Sequence, residues 1–232
     1  MIRFILSCLV SLAFLALRCD SFSVPSSSWC VDAIAVEAQL GYLPPNFHSV
    51  SARTVQGTPI AIQTYPLQGG APRRQAKQQA SAVSSLGTPF PTLFWVTNPD
   101  ISKAIADLER RGYVAIFQDK LNKDEDKAQQ FLACHEHYAR QRWECISAND
   151  QALLLSNANS SIQRMLSMMK NSGIAGTDFR SQIQPDGSFR ASVKCLHAHY
   201  GHYRSVSDEL GWNPVGCWVH ELLQEEYPTL IL

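Results

Sequence analysis

The chain has 232 residues, 45% of them hydrophobic and 17% charged, proportions of a globular protein and not of a disordered one. Twenty basic and twenty acidic residues cancel, which removes the electrostatic case for a nucleic-acid partner or an anionic membrane surface. The length suits one domain with appendages.

Met1-Ile2-Arg3 makes a short positive start, and Phe4–Leu17 is an apolar run too short to span a bilayer comfortably. Cys19 and Ser21 are small and suit cleavage before Phe22. Residues 1–21 therefore read as a signal peptide, and the mature chain as carrying no membrane span. Residues 22–30 form a short Ser-rich segment without an acidic group, as a transit segment would. Together the two resemble the two-part presequences that route proteins to secondary plastids. The expected destination is the plastid stroma by the secretory route, with secretion as the alternative. Removing residues 1–21 takes Cys8 and Cys19 from the seven cysteines; seven less two leaves five, namely Cys30, Cys134, Cys145, Cys195 and Cys217. Five widely spaced thiols are unlike the dense, even sets of secreted disulfide scaffolds and favour a reducing compartment. The sequon Asn159-Ser160-Ser161 points the other way.

Residues 31–225 read as one domain. Val31–Leu40 has apolar residues at 31, 34, 35 and 38 and predicts a helix, ended by Gly41 and Pro44-Pro45. Val50–Val55 and Pro59–Tyr65 predict a hairpin. Residues 66–87, rich in Gly, Gln, Ala and Ser, read as a flexible insertion. Thr92–Thr97 is apolar, aromatic and β-branched, which predicts an inner strand. Asp100 then caps a helix with Ile101, Ala104, Ile105 and Leu108 on its apolar face, and Gly112 ends it. Tyr113–Phe117 reads as a further strand.

The C-terminal half is predicted to be mostly helical. The expected helices are Lys123–Cys145, with a continuation through Ser156, then Ser161–Lys170, Val193–Tyr203, and a last one from Pro214 to Glu225. A turn at Pro185-Asp186-Gly187 interrupts them. The fold class is α+β: an antiparallel sheet of about three to five strands covered by helices.

Lys194–His202 packs a lysine, a cysteine and three histidines into nine residues, and Asn213-Pro214-Val215-Gly216 follows. Four uses suit such a cluster. On a helix, Cys195, His199 and His202 share a face, and His137 on the long helix could complete a metal set with them; zinc favours such ligands. No CxxC pair supports that reading. Alternatively Cys195 is a nucleophile, with Lys194 or His197 assisting it and His135, His137 or His220 supplying a base from elsewhere. A third use holds a small anion with Lys194 and His197, aided by Gly87, Thr88 and Phe90, by Gly173 and Gly176, and by Asn213. In the fourth the cluster is packing, and Asn213 caps the helix that Pro214 opens.

Several separated segments resemble the DUF501 family in the same order: Ala38–Gly41, Gly87–Thr97, Ser172–Gly176, Val193–His197 and Asn213–Gly216. Relatives carry a Cys soon after the Arg that aligns with Arg53, whereas Thr54 and Val55 follow here. The resemblance spans roughly Val31 to Leu223. It implies a shared fold and a shared site but no reaction, and the sequence leaves open whether the partner is a small molecule or a protein. It also raises the expectation that Cys195, with His197 or His202, approaches the Gly87–Thr92 turn.

Overall fold

The computed structural model describes residues 27–67, 86–206 and 212–232. The expected presequence cleavage and most of the 66–87 insertion lie outside them. The fold is α+β, with a three-stranded antiparallel sheet and a mostly helical C-terminal half.

Helix α1, Ser27–Leu40, begins earlier than predicted, within the residues assigned to the transit segment. The Trp29 ring lies 5.6 Å from that of Phe47, so this first turn belongs to the fold. Strands β1, Phe47–Arg53, and β2, Pro59–Thr64, form the predicted hairpin. Its turn is closed by Gly57, whose φ of +86° a side chain would resist. Strand β3, Phe94–Val96, pairs antiparallel with β2 in the order β1-β2-β3, so β3 is an edge strand and not the inner strand expected. Its apolar sequence answers to cover by helices instead of to a second neighbouring strand. The lead into β3 is held by side chains of a helix: Leu93 N–H donates to the Tyr138 hydroxyl at 2.6 Å, and Arg142 donates to the Pro91 carbonyl at 3.2 Å.

Helix α2, Pro99–Arg110, buries the four predicted apolar residues. Its cap is Asn98, which accepts from the amides of Asp100 and Ile101, and not Asp100. Tyr113–Phe117 is a correction: Tyr113–Asn122 is helix α3. Phe117 and Leu121, four apart, are its buried pair, and that spacing extends past the apolar window that resembled a strand. Gly112, at φ +87°, lets the chain leave α2 and re-enter a helix at once.

Helix α4, Glu125–Glu144, ends where continuation had been expected. Ser147 restarts the chain as the cap of α5, Ala148–Ser156. Helix α6, Ser160–Asn171, follows, capped by Asn159 of the sequon. Two short 3-10 turns, Ile174–Gly176 and Arg180–Gln182, lead to α7, Leu196–Ser205, and α8, Pro214–Glu226. The main core joins Ile60, Phe94 and Val96 of the sheet to Ile105, Phe131, Tyr138, Leu196, Tyr200 and Val219. A satellite core takes in Leu67, Leu86, Met165 and Met169, so both ends of the 66–87 segment are buried. The opposite face of the sheet is covered by Ala33 and Val36 of α1.

Candidate functional site

Helix α7 begins three residues later than predicted, and that shift divides the Cys/His cluster. Cys195 is the N-cap, with extended backbone at φ −150° and ψ 115°, and its side chain makes no capping bond. The helix start is satisfied from elsewhere: the Glu109 carboxylate on α2 accepts the Leu196 amide at 2.7 Å. An acidic group suits a helix N-terminus, where unpaired amides and the dipole meet it. The same Glu109 oxygen lies 3.3 Å from Nδ1 of His197. On the other side of the ring, Nε2 of His197 lies 3.0 Å from the Ser102 carbonyl. A carbonyl only accepts, so Nε2 carries the proton there.

The thiol of Cys195 completes the group. One ligand atom each from Glu109, Cys195 and His197 lie within 4.8 Å of one another, and all three residues are half-buried. Burial acts to lower the His197 pKa, but the hydrogen bond to Cys195, the Glu109 charge and the Ser102 carbonyl outweigh it and hold the imidazole at about 9. The three groups are oriented from behind: Glu109 by an amide, His197 by a carbonyl, and Cys195 by its place at the helix boundary. Such outer contacts are what fix ligand geometry in metal sites.

His199, His202 and His137 do not join Cys195. Among the described residues, Glu109, Cys195 and His197 form the group of three or more ligand atoms within metal-binding reach. The extended backbone at Cys195 breaks the i, i+4, i+7 face on which the other set depends. His199 and His202 point into the core with His135 and His137 from α4. His135 stacks on Phe179 at 5.8 Å and meets the edge of Phe131 at 4.5 Å; His199 stacks on Phe131 at 5.4 Å. His202 lies 5.4 Å from Tyr138 and 6.2 Å from His137. Nδ1 of His135 accepts the Ile174 amide at 2.9 Å, and Nδ1 of His202 accepts from Asn213 at 3.2 Å. Both rings are thus Nε2–H tautomers, and burial drives His202 down to about 3 and His199 to about 4. These imidazoles behave as flat packing groups. His220, the remaining distant candidate for a base, lies against Tyr200 at 6.1 Å.

The residues expected to hold an anion are scattered. Lys194 reaches the Gly173–Gly176 loop, donating to the Gly176 carbonyl at 3.1 Å. Gly173 itself abuts His135, with no room for a Cβ. Asn213 caps α8 through Gly216 N–H at 3.0 Å and steadies the histidines. Gly87, Thr88 and Phe90 lie on the turn into β3; Phe90 N–H donates to the Pro66 carbonyl at 2.7 Å, and its ring packs 6.0 Å from Trp95. The structure therefore brings Cys195 and His197 to α2 and not to the Gly87–Thr92 turn. It is the other end of α7 that meets β3, where a Cβ on Gly201 would lie 3.4 Å from the Phe94 carbonyl.

Glu109 and Ser102 were absent from the sequence-level site. Each lies roughly ninety residues upstream of its partner, on a helix that reads only as amphipathic. The five cysteines of the described residues are all free thiols. No helix among those residues is long and apolar enough to cross a membrane.

A family model described as a protein of unknown function, DUF501, matches residues 50–221. No curated protein matches the chain, and no solved structure does.

Proposed function

The chain belongs to the DUF501 family, whose function is unknown, and from the geometry of its own site we propose that Glu109, Cys195 and His197 hold a divalent metal ion of zinc type. The observation that carries this is the convergence of a carboxylate, a thiol and an imidazole within 4.8 Å, with the carboxylate and the imidazole each oriented by a second contact. Carboxylate, thiolate and imidazole nitrogen are all zinc ligands, and a site with three protein ligands keeps a position open for water or substrate. An ion held so acts as a Lewis acid and lowers the pKa of bound water, so the reading is a metal-dependent, hydrolytic type of enzyme acting on a small molecule. In it Cys195 and Glu109 supply negative charge, while Ser102 holds Nε2–H of His197 and leaves Nδ1 to face the ion.

A nucleophilic Cys195 has one observation in its favour, the readily protonated imidazole of His197 beside the thiol. The relay geometry works against it. In such a triad the carboxylate takes one imidazole nitrogen and leaves the other for the nucleophile. Here Nδ1 already faces Glu109, and Nε2 is committed to the Ser102 carbonyl.

Metal analysis of the purified protein tests the proposal. Stoichiometric zinc, removed by chelation and lost in His197→Ala, is expected. Protein grown with ample zinc that carries none would overturn it.

We propose further that residues 1–21 are removed and that the mature chain resides in the plastid stroma, with secretion as the alternative. The short apolar run, the Ser-rich segment after it and the odd, widely spaced set of five remaining cysteines support this. Imaging a fusion of residues 1–40 to a fluorescent protein tests it, and an intact N-terminus retained in membranes would contradict it.

A further inference from the structure

A groove of about 420 Å³ lies between the end of α1, β3 and the first turns of α2. Its volume falls in the range of small-molecule sites. Helix α2 carries both the groove and a residue of the proposed metal centre. Ser102 and Ala106 line the groove, and Glu109 follows at the next position of the same helix face, i, i+4 and i+7. Ser102 also carries the carbonyl that orients His197.

The lining has a specific chemistry. Lys103 is exposed at the groove and forms no ion pair among the described residues. Asp107, four residues on, is the carboxylate that would ordinarily neutralise it, but Asp107 is taken by Arg110, Arg111 and the Tyr227 hydroxyl. Trp95 supplies a flat wall, backed by Phe90 and Tyr42. Thr97, only 2% exposed, and Gln39 also line the groove, and just beneath its surface their Oγ1 and Oε1 meet no donor. Buried oxygens without a donor carry a cost that a ligand N–H relieves.

We infer that this groove is the substrate cleft of the Glu109–Cys195–His197 centre, and that it takes a flat nitrogen heterocycle bearing N–H donors and an anionic group, the chemistry of a mononucleotide. The ring lies against Trp95, its N–H groups turn toward Thr97 and Gln39, and the anion meets Lys103. Stacking of a base on an aromatic side chain and pairing of an anion with an ammonium are the two contributions expected. The role of the groove as a substrate cleft rests on the metal-centre reading; its occupancy by such a ligand does not.

Calorimetric titration of the full chain with adenosine monophosphate, adenosine and inorganic phosphate tests it, using zinc-loaded and chelator-treated protein. Adenosine monophosphate is expected to bind, with adenosine and phosphate each weaker. Lys103→Ala should weaken it by about tenfold, the loss of one charge-assisted contact, and Thr97→Val should weaken it with melting no lower than the parent's. Both variants should keep their zinc. Absence of binding, or binding indifferent to Lys103→Ala, overturns the groove while leaving the metal centre standing. Binding that persists in a protein that never takes up zinc upholds the ligand site and sinks the metal centre.

Discussion

Glu109 and Leu196 meet at 2.7 Å across 87 residues of chain, a carboxylate oxygen on the first amide of α7. One side chain therefore starts a helix and faces the imidazole of that helix's second residue, His197. The two duties separate by substitution. Glu109→Gln keeps an oxygen for the amide and should cost no more than about 1 kcal/mol of stability, whereas Glu109→Ala should cost about 1–2 kcal/mol, as loss of a cap does. Both should lose zinc. Urea unfolding beside metal analysis reads the two effects, and a Gln variant that retains full zinc would remove Glu109 from the ligand set.

Gly173→Ala places a methyl group in the His135 ring, which is held by Phe131, Phe179 and the Ile174 amide. A loss of about 1–3 kcal/mol is expected from such overpacking. Gly201→Ala is the contrast, because its Cβ would sit 3.4 Å from the Phe94 carbonyl, at the edge of ordinary contact. Thermal melts should show the first variant clearly destabilised and the second close to the parent. Equal behaviour of the two would contradict the packing described.

Arg142 has no exposed surface and donates to four backbone carbonyls, those of Pro91, Met168, Met169 and Ser172. It ties α4 to the end of α6 and to the lead into β3. Arg142→Met leaves those carbonyls unpaired and should cost about 3–5 kcal/mol, the loss typical of a broken buried polar network. A variant within 1 kcal/mol (roughly the worth of one ordinary hydrogen bond) would show that the carbonyls find other donors.

Stability should fall with acid. Burial lowers His202 to about 3, with His199 and His137 adding to it, and lowers His135 well below its ordinary 6.5. Tyr138, Phe94 and Asn213 also face His202, and none of them carries a charge near neutrality. A depressed imidazole is neutral when folded and takes up a proton on unfolding. Its contribution is therefore complete above about pH 6.5 and is lost progressively as pH falls toward 3. Each such histidine should remove about 1–2 kcal/mol between pH 7 and 5, and His202→Gln should flatten the acid limb by that amount. A parent protein equally stable at both pH values would contradict buried neutral imidazoles.

The hairpin, the apolar face of α2 and the four long helical segments were legible in the sequence because local period and turn residues decide them. Tyr113–Phe117 was misread because five apolar or aromatic residues in seven conceal a helix whose buried pair, Phe117 and Leu121, reaches beyond them. The site was half legible. Cys195 and His197 stood out by composition, but the extended backbone at Cys195 sends its thiol away from His199 and His202. Glu109 has no local signature at all: a carboxylate on an amphipathic helix becomes a site residue only through tertiary contact.

Cobalt substitution tests the central claim most directly, because a thiolate bound to cobalt(II) gives a charge-transfer absorption that imidazole and carboxylate do not. Metal-free protein titrated with cobalt should show that band in the parent, in His199→Ala and in His202→Ala. It should be absent from Cys195→Ser and strongly weakened in His197→Ala and Glu109→Gln. A band indifferent to Glu109 and His197 but lost with His199 or His202, or no band in the folded parent, would contradict a centre built from Glu109, Cys195 and His197.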